Sequence, residues 1–285
     1  MRTAVAGFHL HRPRSLTDAL RVMREEPSTI PIAGCTDVFV ALNAGASPGT
    51  HYLDLTPLGG LSRIANRDGV LSIGALASYA SIIKSRLVRQ QLPMLVAASR
   101  EIGGAQIQNR GTLGGNVANA SPAGDTLPVL AAADAVVVLR SATDGERRVP
   151  FTAFYTGYRA SVRRPDELIV AIEFAPVHGR QWFRKVGTRA AQAISKVMMA
   201  GVRPAHAHDP PRLSLGSVAA TVVRLPRTED ALAGGASIDE AVRVLSSEIT
   251  PIDDIRSTAG YRLAVSGNLL RAFWSDTATL APTSD

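Results

Sequence analysis

The sequence has almost no cysteine: Cys35 stands alone among 285 residues. A single thiol excludes an internal disulfide. It also excludes an iron–sulfur cluster held by this chain's own thiolates, which takes about four of them. Lysine is nearly as scarce, with only Lys84, Lys185 and Lys196. The formal charge of +7 and the isoelectric point near 10.1 are therefore carried by arginines spread along the chain. Aromatic residues make up 5%, and no basic run is interleaved with them. The charge thus argues against nucleic acid and suits anionic ligands or acidic protein partners. No apolar run approaches the roughly 20 residues of a membrane span. The start, MRTAVAGFHLHRPRS, lacks an apolar core followed by a cleavage site, so the cytoplasm is the expected compartment. The six histidines, at 9, 11, 51, 178, 206 and 208, show no zinc spacing, and His206 and His208 fall in the proline-broken PAHAHDPP. No metal site is expected.

What is present is ordinary globular material, 46% hydrophobic and 19% charged, with enough chain for two domains and real cores. Ser15 is placed to cap a helix, SLTDALRVMREEP, that Pro27 ends. TIPIAGCTDVFVALNAG reads as a strand, a turn at Gly34 and an apolar helix from about Asp37. HYLDL (51–55) is a strand, and Asp68-Gly69 joins two alternating runs as a hairpin. Residues 77–101 are helical with a break near Pro93. A long polar loop follows, then a short helix, TLPVLAAAD, with Asp125 placed to cap it. AVVVL (135–139) and DELIVAIEF (166–174) are strands, with SATDGERRVPF a charged turn. The pattern shifts near Pro176, and VHGRQ reads as a linker. Beyond it WFRKVG, AISKVMMAGVRP and LSLGSVAATVVRL read as strands, and 237–249 and 262–274 as helices. The tail TATLAPTSD is expected to fray.

Two small-residue stretches stand out. AGCTD (33–37) puts a glycine between a strand and a helix start, where backbone N–H groups attract anions. RGTLGGNVANASPAGDTLPVL (110–130) is richer. Gly111, Gly114 and Gly115 let backbone come close to a ligand, while Thr112, Asn116, Asn119 and Ser121 offer groups for hydroxyls or phosphate. Asp125 would accept from a hydroxyl. This is neither the G-x-G-x-x-G pattern nor a Walker loop, since no lysine follows the glycines. Two separated loops suit one elongated ligand such as a dinucleotide, and spacing alone does not say which.

Four stretches resemble the FAD-binding subunit of the xanthine dehydrogenase family of molybdenum hydroxylases, which includes the medium subunit of aerobic carbon monoxide dehydrogenase. They are PIAGCTDVFV, IGGAQIQNRGTLGGNVANASPAGDTLPVL, FRKVGTRAAQAISKV and ITPIDDIRSTAGYRLAVSGNLL, in family order over nearly the whole chain. The third and fourth look more like purine-oxidising members than like carbon monoxide dehydrogenase. The resemblance implies an α+β fold: a two-part FAD-binding domain of the vanillyl-alcohol oxidase type over 1–176, with parts of about 1–58 and 59–176, then a smaller α+β domain over 181–280. It places the FAD pyrophosphate on Ile32, Ala33, Gly34, Cys35, Thr36, Asp37 and Val38, with Val38 against one side of the flavin ring and Ile102 near its other face. Thr112, Gly114, Gly115 and Asn116 would bind FAD, Asp125 a sugar hydroxyl and Ile169 the adenine or ring region, and Lys185 would reach the cofactor. Cys35 departs from the glycine or asparagine more usual there, and is expected to be a small residue beside the pyrophosphate rather than a redox thiol.

The resemblance further implies that molybdopterin and two [2Fe–2S] clusters lie in partner subunits, and that electrons pass through FAD to NAD⁺ or another acceptor. No residue of this chain then need be a catalytic nucleophile or base. Rival readings are a medium subunit of a carbon monoxide dehydrogenase or aldehyde oxidase-like enzyme, a stand-alone flavin oxidase of related fold, and an interaction protein without FAD.

Overall fold

A computed structural model describes residues 7–46, 49–190, 192–206 and 208–279. The first six residues and the end of the tail, 280–285, lie outside the described residues. Three larger sheets organise the described residues, beside a two-stranded ribbon of Tyr155–Gly157 and Ala160–Ser161. The first is parallel: His51–Asp54 lies between His9–His11 and Ile30–Ile32. The helix Leu16–Glu25 is started by the Ser15 hydroxyl, which accepts from the Asp18 N–H. Its Ala19, Leu20 and Met23 pack with Leu53 and with Val138, Leu168 and Val170 of the second sheet.

That second sheet is antiparallel, in the order Ile64–Arg67, Val70–Gly74, Leu168–Phe174, Val136–Ser141, Gly145–Pro150. The hairpin at Asp68-Gly69 forms, with φ of 52° and 83° at the two turn residues, the left-handed pair such a turn demands. Residues 145–150, expected in a charged turn, are instead an edge strand along Val136–Ser141, where arginines and glutamate suit a solvated edge. The helical region after residue 77 breaks twice, at Ser85 and before Pro93. The expected polar loop holds two short helices, Ala105–Arg110 and Leu113–Asn119. Asp125 does not cap the helix Leu127–Ala132; its carboxylate is used elsewhere.

The third sheet, Arg180–Val186, Val197–Arg203, Arg212–Gly216 and Val223–Arg224, is antiparallel. The single strand expected over LSLGSVAATVVRL is two strands, parted by a turn at Ser217 with φ of 64°. One face of this sheet receives the helices Pro93–Arg100 and Leu127–Ala132 of the first domain, and Ala200 and Val202 join that domain's core. The helix Ala259–Thr279 crosses the sheet and seats Phe273 on Gly201, where any Cβ would strike the ring. Helices Ile238–Glu248 and Pro226–Ala233 complete the domain, the former started by a capping box between Ser237 and Glu240. The first of the two expected helices therefore lies close to its predicted bounds, the second is longer, and Pro226–Ala233 was not anticipated. No described helix is long and apolar enough to cross a membrane.

Candidate cofactor site

The strand Ile30–Ile32 runs into the turn Ala33–Asp37 and then the helix Val38–Asn43. A Cβ on Gly34 would lie 1.9 Å from the Arg110 carbonyl oxygen, so only glycine lets this turn cross the end of the helix Ala105–Arg110. Cys35 follows with φ of 59°. Opposite, Thr112 begins the helix Leu113–Asn119, its hydroxyl accepting from the Gly115 N–H at 3.1 Å. Gly114 presses on Ala75, while a Cβ on Gly115 would meet only the Thr112 hydroxyl. Gly115 lines the space between the two turns without a side chain of its own. That space is a cleft of about 200 Å³, lined by all of Ile32 to Val38 and by Tyr79, Thr112, Gly115 and Asn116. The first peptide N–H groups of a helix have no intrahelical acceptor, and both turns bring helix starts to this cleft.

The cleft continues in both directions. Through Ile32, Ala33 and Gly115 it joins an apolar slot of about 220 Å³ that also touches Gly114, Arg163, Leu168 and Ile169. Through Asp37, Asn116 and Asn119 it joins an outer cavity of about 660 Å³, bounded by Tyr158, Arg159, Ile194, Ile252, Arg256 and Arg262. The three form one trough.

Burial pushes the Asp37 carboxyl above its ordinary range, opposed by the Arg159 guanidinium and by a hydrogen bond from Asn119. Arg159 in turn donates to the Asn119 side-chain oxygen at 3.0 Å. Burial also raises the Cys35 thiol, with Arg110 pulling the other way. Tyr79 is raised by burial and by the carboxylates of Asp37 and Asp125, so its phenol stays protonated. Asn116 accepts from the Thr126 hydroxyl at 2.5 Å, which fixes its amide.

Asp125 and Lys185 lie apart from the trough lining. The Lys185 ammonium donates to Asp125 at 2.7 Å and to the Glu101 carbonyl at 3.1 Å. The Ser195 hydroxyl donates to the other Asp125 oxygen. The side chains are only 11% and 4% exposed, for aspartate and lysine respectively. Burial pushes the Asp125 carboxyl up, opposed by Lys185. Lys185 borders a separate small cavity of about 110 Å³ with Glu101 and Gln192. Ile102 packs half-buried against the first domain's core. The structure therefore brings Ile32 to Val38, Thr112, Gly114, Gly115, Asn116 and Ile169 to one trough, and places Ile102, Asp125 and Lys185 off it. Tyr79, Arg159, Arg163 and the arginines of the outer cavity were not singled out. They come from distant stretches with no motif of their own, and only the folded pairing gathers them. Among the described residues no cluster of three or more His, Cys, Asp or Glu could hold a metal.

The family described as the FAD binding domain in molybdopterin dehydrogenase matches residues 6–176, and the CO dehydrogenase flavoprotein C-terminal domain matches 182–277. The glyceraldehyde dehydrogenase medium chain of Sulfolobus acidocaldarius is 30% identical, over 90% of this chain and 94% of its own. The carbon monoxide dehydrogenase medium chain of Hydrogenophaga pseudoflava is 28% identical over 93% and 94%. The putative xanthine dehydrogenase FAD-binding subunit of Escherichia coli is 28% identical over 89% and 90%. Among solved structures, reconstituted CO dehydrogenase from Oligotropha carboxidovorans superposes with a TM-score of 0.91 at 26% identity, covering 99% of this chain and all of that one. The class is a two-domain flavoprotein oxidoreductase subunit. The chain belongs to the family of FAD-binding medium subunits of molybdenum hydroxylases.

Proposed function

We propose that this chain is the FAD-bearing electron relay of a molybdenum hydroxylase whose substrate is a purine of the xanthine type. The observation that carries the relay reading is the trough itself: two small-residue turns, about 80 residues apart in sequence, face each other across a continuous space. The donor set fits FAD. Helix-start N–H groups near Thr36 to Val38 suit a pyrophosphate, Thr112 and Asn116 suit hydroxyls, and Gly115, with no side chain, admits a ligand against backbone. Bound FAD supplies the exchange of electrons between one- and two-electron partners. The chain's own residues hold and orient it: the 32–38 turn takes the charged middle, and Thr112, Gly115 and Asn116 flank it. The Asp125–Lys185 pair braces the domain seam beside it. Hydroxylation and the [2Fe–2S] clusters belong to partner chains, one carrying molybdopterin and one the clusters, since this chain's single cysteine cannot hold them. The outer cavity suits the acceptor, NAD⁺ or another. The purine reading rests on the likeness of FRKVGTRAAQAISKV and ITPIDDIRSTAGYRLAVSGNLL to purine-oxidising members.

Reconstitution tests it. The purified chain should release FAD, not FMN, on denaturation. Xanthine should be turned over only when both partner chains are added. Turnover of xanthine by the chain alone would favour a stand-alone oxidase. Turnover of an aldehyde or carbon monoxide, and not xanthine, by the full assembly would leave the relay and remove the purine.

A further inference from the structure

We infer that Arg163 is the residue that seats the adenine of the bound dinucleotide in the apolar slot and sets the preference for FAD over FMN. The inference rests on the FAD reading above. Size decides which end of the trough takes which ring. The slot, at about 220 Å³, is walled by Ile30, Leu55, Leu76, Leu168 and Ile169, while the outer cavity at the other end has about 660 Å³. A two-ring purine matches the small, mostly apolar end. A three-ring flavin, which must also meet electron partners, matches the large one.

The slot's polar groups are few and have unequal freedom. Glu167 is 1% exposed, and its carboxylate is committed to Arg147, at 2.5 and 2.8 Å, and to the Arg164 N–H at 2.7 Å. It offers nothing to a ligand. Arg163 is different. Its Nη1 donates to the carbonyls of Arg164 at 3.0 Å and Glu167 at 2.8 Å, which fixes the guanidinium plane. Among the described residues no hydrogen bond ties its Nε or Nη2. A purine presents two apolar faces to such walls and ring nitrogens that accept hydrogen bonds at its edge. A held guanidinium can stack flat on the face or donate to the edge from a fixed fork, and lysine, a flexible point charge, has neither the planar stack nor the fork.

FMN lacks the adenylate half, so the two flavins form an internal control. The full chain would be stripped of flavin and titrated with FAD and with FMN, as wild type, Arg163→Ala and Arg163→Lys. Both variants should bind FAD about tenfold more weakly, which is ~1.4 kcal/mol, with FMN affinity unchanged. A merely structural role would lower both affinities together. As a measurement that needs no variant, 5′-AMP should displace FAD from the wild-type chain. An unchanged FAD-to-FMN ratio in both variants, or failure of 5′-AMP to compete in wild type, overturns the inference while the FAD reading stands. A wild-type chain that binds no FAD overturns both.

Discussion

A Cβ on Gly114 would lie 2.6 Å from that of Ala75, whereas one on Gly115 would meet only the Thr112 hydroxyl at 2.8 Å. The two neighbours therefore answer differently to substitution. Gly114→Ala should cost the apo-protein about 1–3 kcal/mol by overpacking, read as a lowered midpoint in urea. Gly115→Val drives its Cβ onto the capping Thr112 hydroxyl, so it should cost the apo-protein about 1–2 kcal/mol and also abolish FAD retention, read by flavin absorbance after gel filtration. If Gly115→Val holds flavin like wild type, the trough is not the cofactor site. Cys35, at φ of 59°, carries the left-handed penalty that an L side chain pays. Cys35→Asn should recover roughly 1 kcal/mol, since asparagine tolerates that region. The thiol itself, raised by burial, should react slowly with maleimide at neutral pH and faster as pH rises past the ordinary thiol range. Rapid labelling at pH 7 would show an activated thiol instead. In the sequence the glycine pair was legible as a close approach of backbone, but the division of duties was not. It depends on Ala75, nearly 40 residues away and without a motif.

Elements with local start signals were readable, and those made by context were not. Ser15, Ser237 and the Asp68-Gly69 turn announce their structures through side-chain caps and turn chemistry, and the observed elements follow them. The helix Leu113–Asn119 hides behind two glycines and two asparagines of low propensity; the Thr112 cap and the seating of Gly114 on Ala75 outweigh that local preference. Pro226 marked a helix start directly after an expected strand, and no helix was read there. The long helix Ala259–Thr279 shows what composition cannot: its last turn is held by arginines from the sheet. Arg203 lies 3.8 Å over the Trp274 ring and donates to the Trp274 carbonyl at 2.8 Å. Arg180 donates to the Thr277 and Ala278 carbonyls. Cations at a helix C-terminus satisfy its orphan carbonyls and its dipole. Arg203→Met should therefore cost about 2 kcal/mol, from a cation–π contact and a charge-assisted hydrogen bond. Arg203→Lys should recover only part of it. Hydrogen exchange should rise first in residues 270–279, and uniform protection there would argue against the cap.

Across the whole molecule, the two domains are joined by charge as well as by apolar packing. Asp134 of the first domain accepts from Arg212 at 2.9 Å and Arg224 at 2.5 Å of the second, but Asp134 is half exposed and such pairs contribute little. Asp125 and Lys185 are the enclosed pair across the seam. Removing one partner of such a pair leaves the other buried and uncompensated, at a cost of about 3–5 kcal/mol. Lys185→Met should therefore lower the unfolding midpoint of both domains together, because the seam belongs to both cores. The pH dependence has a definite sign. Burial already pushes the Asp125 carboxyl above its unfolded value of 3.8, against the pull of Lys185, and without that pull it should rise further. Between the unfolded and folded values the native state then holds the extra proton. Stability is greatest below the unfolded value and falls as pH climbs through the folded one. Lys185→Met should thus be closest to wild type in mild acid and furthest from it at neutral pH. Adding Asp125→Asn should return much of the loss, with a coupling energy above about 1 kcal/mol in the double-mutant cycle. Urea unfolding of the four proteins at several pH values checks this. Additive single effects, or a Lys185→Met deficit that does not shrink in acid, would show that the pair does not brace the seam.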